Sequence, residues 1–136
     1  MSRDTKEPAT PFGPFVLERR LAVGGSAEVF LARPKTGIVP APKLLVKRLL
    51  SDRTEDQFDV LSHEAELNRA ITHANVVTVF GAGMVGREPY LAMEYVEGKN
   101  LKQILSEKTP FSSERVAEIV GQVAEALDYA HRRGIV

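Results

Sequence analysis

Three segments of the sequence carry candidate functional residues. The first is "LAVGGSAEVFLA", residues 21–32, where Gly24 and Gly25 stand between two β-rich runs. Glycines let backbone N–H groups approach a phosphate closely, because no Cβ stands in the way. A plain glycine hairpin turn without a ligand accounts for the same pattern. This segment alone therefore leaves both interpretations open.

A lysine lies inside the next apolar segment, "KLLVKRLL", residues 43–50. In an extended strand, alternation puts Lys47 on the same face as Leu45 and Leu49. That is an unusual position for a solvated lysine, since an unpaired buried ammonium group is costly. Lys47 is therefore a candidate functional residue. The alternative is a lysine whose long side chain reaches water at the sheet edge.

A glutamate follows in "TEDQFDVLSHEAELNRAITH", residues 54–73, which has a helical period. Glu64 stands one turn from Leu61 and from Asn68, beside the apolar stripe that we predict to face a sheet. Its carboxylate could meet Lys47 there. A solvated helix charge is the simpler explanation, because most glutamates are exposed.

The elements that must position these residues follow from the pattern of turns and apolar runs. They predict five strands with one helix after the third, then two helices, the last over residues 110–134. Antiparallel long-range pairing with a helix on one side indicates an α+β sheet layer. Residues 1–14 are polar and rich in proline, which predicts a disordered leader.

The last helix has clear boundaries and one apolar face. Ser112 is a good N-cap, and Gly134 is a good stop. Residues 135–136 then read as the start of a strand. The apolar stripe of the helix consists of Val116, Val120, Val123, Leu127 and Ala130.

Composition excludes several classes of function. The 136 residues hold 18 Lys plus Arg and 18 Asp plus Glu, so the zero net charge argues against a nucleic-acid or anionic-membrane partner. There is no cysteine, and the three histidines are scattered without ligand spacing, so we expect neither a disulfide nor a metal site. With no membrane-length apolar run and no signal-peptide core, a cytoplasmic location is expected.

Taken together, the glycine-rich hairpin, the strand lysine, the helix glutamate and "MEYVEG" resemble the N-terminal lobe of a protein kinase. The bacterial serine/threonine kinases of eukaryotic type are especially similar, and "LARP", "THANVVTVFGAG", "YLAMEYVEGKNLKQIL" and "ALDYAHRRGIV" extend the likeness. The resemblance implies an N-lobe with its hinge over residues 15–98. It also implies the first helices of an incomplete C-lobe over residues 99–136.

The resemblance also implies how ATP would bind. The family covers the phosphates with a G-x-G-x-x-G-x-V loop. Here Ala22, Gly24 and Ala27 occupy the glycine positions, Val29 matches the valine and would pack on the base, and Gly25 adds flexibility. Since each added methyl stiffens the loop, we expect weakened rather than abolished nucleotide binding.

Further positions match the catalytic pair and the adenine site. Lys47 matches the lysine that contacts the α- and β-phosphates, and Glu64 matches the glutamate that holds it. Leu45 replaces the alanine above the adenine ring and would crowd it. The gatekeeper and the hinge, whose backbone reads the adenine edge, are matched by Met93, Glu94 and Val96.

The family's H-R-D catalytic loop, its loop asparagine and its D-F-G aspartate have no match in these residues. The chain thus lacks the catalytic base and the Mg²⁺ ligands, and we expect it to be inactive alone. Mg²⁺ and a protein substrate are expected only in a full-length parent. The apolar face of the helix over residues 113–133 would then meet the missing C-lobe or another kinase chain.

Three hypotheses remain open from the sequence. In the first, the chain is the ATP-binding part of a serine/threonine kinase cut just before the catalytic loop. In the second, it is a natural non-catalytic module, a nucleotide sensor or a partner of a complete kinase; the altered glycine pattern and Leu45 favour this. In the third, it is a degenerate gene product without a function.

Overall fold

A computed structural model describes residues 8–36, 42–50 and 54–136, apart from the side chains at positions 54, 55 and 57. The strands are β1 (Thr10–Phe12), β2 (Phe15–Val23), β3 (Ala27–Pro34), β4 (Leu44–Leu49), β5 (Val79–Val85) and β6 (Glu88–Glu94). The helices are α1 (Thr54–Arg69), α2 (Leu101–Ser106) and α3 (Ser113–His131). The first of two units extends to Ala70 and includes Thr78–Tyr95, and the second consists of Ile71–Val77 and Val96–Val136.

The first unit is an antiparallel sheet in the order β1-β2-β3-β4-β6-β5, with α1 packed against β5 and β6. The α+β fold class is thus confirmed, but the sheet has six strands rather than the predicted five. The extra strand, β1, lies inside the segment predicted to be disordered; residues 1–7 of that segment lie outside the described part. β1 is ordered because Phe12 is buried and meets Tyr90 edge-on at 5.6 Å.

The sheet carries a hydrophobic core on each face. The cluster on one face is formed by Phe12, Phe15, Leu17, Phe30, Ala32, Leu44, Val46 and Ala92. The cluster on the other face is formed by Leu61, Ala65, Val79 and Leu91, with Leu49 packed against it. β4 contributes to both clusters at alternate positions, which confirms the predicted alternation along this strand.

The apolar stripe of helix α1 forms part of the second cluster. Leu61 and Ala65 are almost completely buried, whereas the charged positions around them point outward or are half-buried. The helix ends at Arg69, and Ile71, two residues beyond it, belongs to the second unit.

The second unit holds two helices whose starts are set by their side-chain caps. Asn100 and Gln103 form a reciprocal capping box at α2. At α3 the Ser112 hydroxyl accepts the N–H of Arg115 at 3.1 Å, which confirms the predicted N-cap. Within the same unit, Asn75 Nδ2 donates to the carbonyl oxygen of Gln122 at 3.0 Å and ties the segment Ile71–Val77 to α3.

Helix α3 closes through glycine, as predicted. Gly134 has a φ of 75°, and the N–H of Ile135 donates to the carbonyl oxygen of Ala130 at 3.1 Å. This is the hydrogen bond of a Schellman closure. The predicted strand at residues 135–136 is not formed, because this N–H completes the helix terminus instead of a ladder.

The apolar stripe of α3 is largely exposed in the second unit. Its exposed members are Val116 at 46%, Val120 at 60%, Val123 at 53% and Leu127 at 51%. Ala130, at the end of the stripe, is buried. Among the described helices, none combines the length and apolar content required to span a bilayer.

Candidate functional site

The glycine turn joins β2 to β3 and stands open to solvent. The N–H of Gly24 donates to the carbonyl oxygen of Ala27 at 2.7 Å and closes the turn. A Cβ added at Gly25 would meet nothing within 4 Å. Neither packing nor a positive φ thus requires glycine at Gly25, and its backbone remains free to approach a ligand. Ala22 flanks the turn on β2 and is exposed as well.

Lys47 lies on β4 beside the start of β3. Its register partners are Val29 on β3 and Leu91 on β6. Register partners share a face of the sheet, and Leu91 belongs to the core covered by α1. Lys47 is half-buried on this face, and Val29, the neighbour predicted to pack on the base, is half-buried beside it.

The structure does not pair Lys47 with Glu64. Glu64 lies on α1 next to the buried Ala65 and is half-buried, on the side of the sheet that Lys47 also faces. Within the described ranges, no hydrogen bond or ion pair joins the two side chains. The backbone carbonyl oxygen of Glu64 accepts a hydrogen bond from the Asn68 side-chain amide at 2.8 Å. This bond does not involve the Glu64 carboxylate.

Leu45 and the predicted gatekeeper Met93 are register partners on β4 and β6. Both are half-buried, and Leu45 also pairs with the buried Leu31 on β3. Leu45 stands two residues before Lys47, so both side chains lie on one face of the strand. An apolar wall therefore adjoins the lysine.

The predicted hinge residues differ in what they contact. The N–H of Glu94 donates to the carbonyl oxygen of Thr78 at 2.8 Å, and its carboxylate accepts the Thr78 N–H at 3.0 Å. The bond to Thr78 occupies the N–H of Glu94, whereas the carbonyl group of Glu94 takes no part in either bond. Val96 belongs to the second unit, where its side chain is 61% exposed.

The sequence reasoning missed a buried ionic cluster on the opposite face of the sheet. Glu28 on β3 is 7% exposed. Its two carboxylate oxygens accept from Arg20 on β2 at 3.0 Å and from Arg48 on β4 at 2.7 Å. The Arg48 guanidinium also lies 5.0 Å from the ring centre of Phe30, where it packs as a cation on an aromatic face.

The hydrogen bond from Arg48 is the main cause that lowers the pKa of Glu28 below its ordinary value of 4.5. Burial acts in the opposite direction, and the hydrogen bond from Arg20 adds to the lowering. Glu28 is therefore a carboxylate at neutral pH, as a buried acceptor between two arginines should be.

One signal in the sequence pointed to this cluster. Alternation along β4 puts Arg48 on the face of Leu44 and Val46, where a cation needs a partner. An open groove of about 270 Å³ adjoins the cluster. It is lined by Pro8, Thr10, Leu17, Glu18, Arg19, Arg20, Glu28, Phe30 and Arg48, so it holds none of the predicted nucleotide residues.

Chemically, the face of Lys47 combines three features within one unit. It offers a cation, the apolar side chains of Val29, Leu45 and Met93, and a neighbouring glycine turn that is exposed to solvent. A cation and such a turn suit phosphate oxygens, and the apolar side chains suit a planar base.

Comparison with known proteins gives a consistent result. The family model described as the protein kinase domain matches residues 15–136. Serine/threonine-protein kinase PknJ of Mycobacterium tuberculosis is 33% identical over 126 residues, which are 92% of this chain and 21% of that protein. Serine/threonine-protein kinase pkn3 of Myxococcus xanthus is 37% identical over 123 residues, covering 88% of this chain and 22% of that protein.

Solved structures agree with the sequence relatives. The crystal structure of the M. tuberculosis PknI kinase domain superposes with a TM-score of 0.75 at 28% identity, covering 93% of this chain and 51% of that domain. The chain thus spans about a fifth of these curated relatives and half of this kinase domain.

Proposed function

Since this chain belongs to the protein kinase domain family, we propose that it forms the ATP-binding part of a serine/threonine protein kinase. The whole protein would transfer the γ-phosphoryl group of ATP to a hydroxyl group of a protein substrate. The serine/threonine assignment follows the names of relatives such as PknJ and pkn3.

One observation carries the proposal: Lys47 and Val29 are register partners beside the glycine turn. In this arrangement Lys47 neutralises charge on the α- and β-phosphates, and N–H groups of the turn other than that of Gly24, which is bonded to Ala27, donate to phosphate oxygens. Val29 packs on the base.

Met93 and Glu94 complete the binding of the base. Met93 contributes apolar surface on the face of Lys47, and the carbonyl oxygen of Glu94 accepts the exocyclic amino group of adenine. The N–H of Val96 donates to the ring. We assign Glu64 the role of holding Lys47, so the two side chains are expected to pair when nucleotide is bound.

Mg²⁺ is the ion with which the family handles ATP, and it neutralises phosphate charge when bound. The aspartate and asparagine that hold it in the family have no match in these residues, so no step through the ion is assigned to this chain. We place the catalytic base and these ligands in the part of the domain that the chain does not span.

The test is Lys47→Met in the whole natural protein that contains these residues. The variant should bind ATP at least about tenfold more weakly, because a phosphate ligand is lost while an apolar side chain of similar length remains. Its melting temperature should stay within about 2 °C of wild type. Lys43→Met is the matched control, since Lys43 is exposed just before β4.

Calorimetric titration with ATP measures these affinities. Equal ATP binding by wild type and Lys47→Met would remove Lys47 from the site and contradict the proposal. A loss that Lys43→Met shares would show a general effect of net charge rather than a specific contact.

A second candidate is a non-catalytic nucleotide-binding or kinase-interacting module. Three residues favour it: the alanines at positions 22 and 27 and the bulky Leu45. All three are expected to weaken ATP binding, as in a module that does not need to hold ATP for catalysis. Transfer of labelled γ-phosphate to casein or to the protein itself separates the two. ATP binding without transfer by the whole protein would favour the module.

The exposed apolar stripe of α3 indicates a binding partner for both candidate functions. We propose that the remainder of the catalytic domain covers it in the kinase, and that another kinase chain covers it in the module. Hydrogen exchange of α3 in the whole protein distinguishes them: intramolecular cover gives protection independent of protein concentration and of added kinase.

A further inference from the structure

Three side chains on neighbouring strands form what we call the Glu28 clamp: Arg20, Glu28 and Arg48. Glu28 accepts from Arg20 Nη1 at 3.0 Å and from Arg48 Nη2 at 2.7 Å. Arg48 Nη1 also lies 3.6 Å from a carboxylate oxygen of Glu88 on β6. The clamp and its extension therefore connect β2, β3, β4 and β6 through side chains.

The clamp and the candidate phosphate site use adjacent residues on opposite faces. Glu28 pairs in register with Arg48, and Val29 pairs with Lys47 one position further along both strands. Successive side chains of a strand point to opposite faces. A shift of β3 along β4 that breaks Glu28–Arg48 would thus displace Val29 from Lys47 by the same distance.

The backbone alone holds the turn less firmly on the β2 side. The ladder between β2 and β3 is irregular between Leu17 and Arg19 and again between Arg20 and Ala22. Arg20 stands between these irregularities, so its bond to Glu28 ties the end of β2 where the ladder is interrupted. On the β4 side, the N–H of Leu50 donates to the carbonyl oxygen of Ser26 at 2.9 Å.

We propose that Glu28 is a positioning residue for nucleotide phosphates: the clamp fixes the glycine turn relative to Lys47 from the opposite face of the sheet. This inference rests on the proposed function. Glu28 touches no phosphate itself. Its effect falls mainly on the phosphate part of the ligand, because the turn and Lys47 contact phosphates, whereas of the residues that contact the base only Val29 lies on β3.

A purely structural role gives a different result. A buried carboxylate between two arginines can simply offset their charge, and its loss then lowers stability without selecting among ligands. The two roles are separated by comparing ATP with adenosine, which shares the base and the ribose but has no phosphate.

The experiment measures dissociation constants of ATP and adenosine for wild type and Glu28→Gln in the whole natural protein. The glutamine keeps the shape but presents an amide N–H₂ group to one arginine. We expect ATP binding to weaken about fivefold, with adenosine unchanged within about twofold. The control is Glu18→Gln, which removes a carboxylate from β2 that pairs with the exposed Arg33 at 3.2 Å.

Arg20→Met provides a second variant if Glu28→Gln fails to fold. It removes one bond of the clamp at an exposed side chain and leaves the bond of Arg48, so a smaller, selective loss of ATP affinity is expected. Equal weakening of ATP and adenosine, or no change in either, overturns the proposal. If the wild-type protein binds ATP no better than adenosine, the proposed phosphate site is contradicted. The role of Glu28 is then contradicted as well, because it depends on that site.

Discussion

Leu45 and Met93 stand side by side as register partners on β4 and β6, on the face of the sheet that also carries Lys47. The family resemblance implies alanine at the position of Leu45, over the adenine ring. By that resemblance, Leu45 puts a branched side chain where the family pattern has alanine, directly beside the residue that matches the gatekeeper.

Leu45→Ala should therefore strengthen ATP binding. Removing the branched side chain opens space for the base, and a group of this size in an apolar pocket changes affinity by about tenfold or less. Because Leu45 is half-buried, the same change should lower the free energy of unfolding by about 1–2 kcal/mol. Calorimetric titration and urea denaturation of the whole protein measure both quantities.

Leu50→Ala is the matched control for this change. Leu50 follows β4, and its side chain is 46% exposed, so its truncation should alter neither ATP affinity nor stability much. ATP affinity of folded Leu45→Ala equal to or weaker than wild type would show that Leu45 does not crowd the base.

Gly25→Ala should weaken ATP binding about threefold and leave the melting temperature unchanged, since a Cβ there meets no atom of the protein within 4 Å. The added methyl group matters only if a ligand approaches the turn. Ala27→Gly, which restores a glycine of the family pattern, is expected to act in the opposite direction. If neither variant changes ATP affinity, the turn does not contact the phosphates.

Glu28→Gln should reduce the loss of stability in acid. The pKa of Glu28 is lowered in the folded protein, so the unfolded chain binds this proton first as pH falls. The contribution of the carboxylate is therefore complete above about pH 4.5 and is lost as pH falls through the lower folded pKa. Glutamine cannot take up the proton, so this part of the pH dependence disappears.

Urea denaturation between pH 3 and pH 6 checks this expectation, with both ends of the range about one pH unit or more from the ordinary carboxyl value. Arg20→Met should retain most of the acid dependence, because the stronger cause of the lowered pKa, the Arg48 bond, remains. Parallel curves for wild type and Glu28→Gln would mean that the Glu28 pKa is the same folded and unfolded.

Gly83→Ala should destabilise the first unit by about 1–3 kcal/mol. Gly83 pairs in register with Tyr90, and a Cβ added there would lie 2.6 Å from the phenol oxygen. The ring cannot move away freely, since it meets Phe12 and Phe15 edge-on at 5.6 Å and 5.5 Å. Thermal denaturation measures the effect, and Gly25→Ala is the control glycine. An unchanged melting temperature would show that the Tyr90 ring can relocate.

Local sequence patterns were sufficient for most elements. The cap at Ser112, the stop at Gly134 and the alternation along β4 depend on neighbours a few residues away, and all three were predicted correctly. Strand β1 was not, because three residues carry little periodic signal. It is ordered by the contact of Phe12 with Tyr90, far along the chain.

The features of the candidate site also separate into those that local sequence predicts and those that depend on distant residues. The face of Lys47 follows from alternation, which is a local property. The burial of Glu28 depends on arginines from two other strands, so no single segment shows it. Whether Lys47 and Glu64 pair depends on side-chain rotamers and on how α1 sits against the sheet, which residue spacing does not determine.

The adjacent cations Lys47 and Arg48 also have a consequence for how the sheet assembles. A one-residue slip of β4 would exchange the faces of all its side chains. Lys47 would then lie among Phe30 and its aromatic neighbours, and Arg48 would enter the core under α1, away from Glu28. The slipped register would thus lose the Arg48–Glu28 hydrogen bond and the packing of Arg48 on Phe30, so misaligned hairpins should be short-lived during folding. The Lys47–Arg48 dipeptide thereby favours the native alignment of β4.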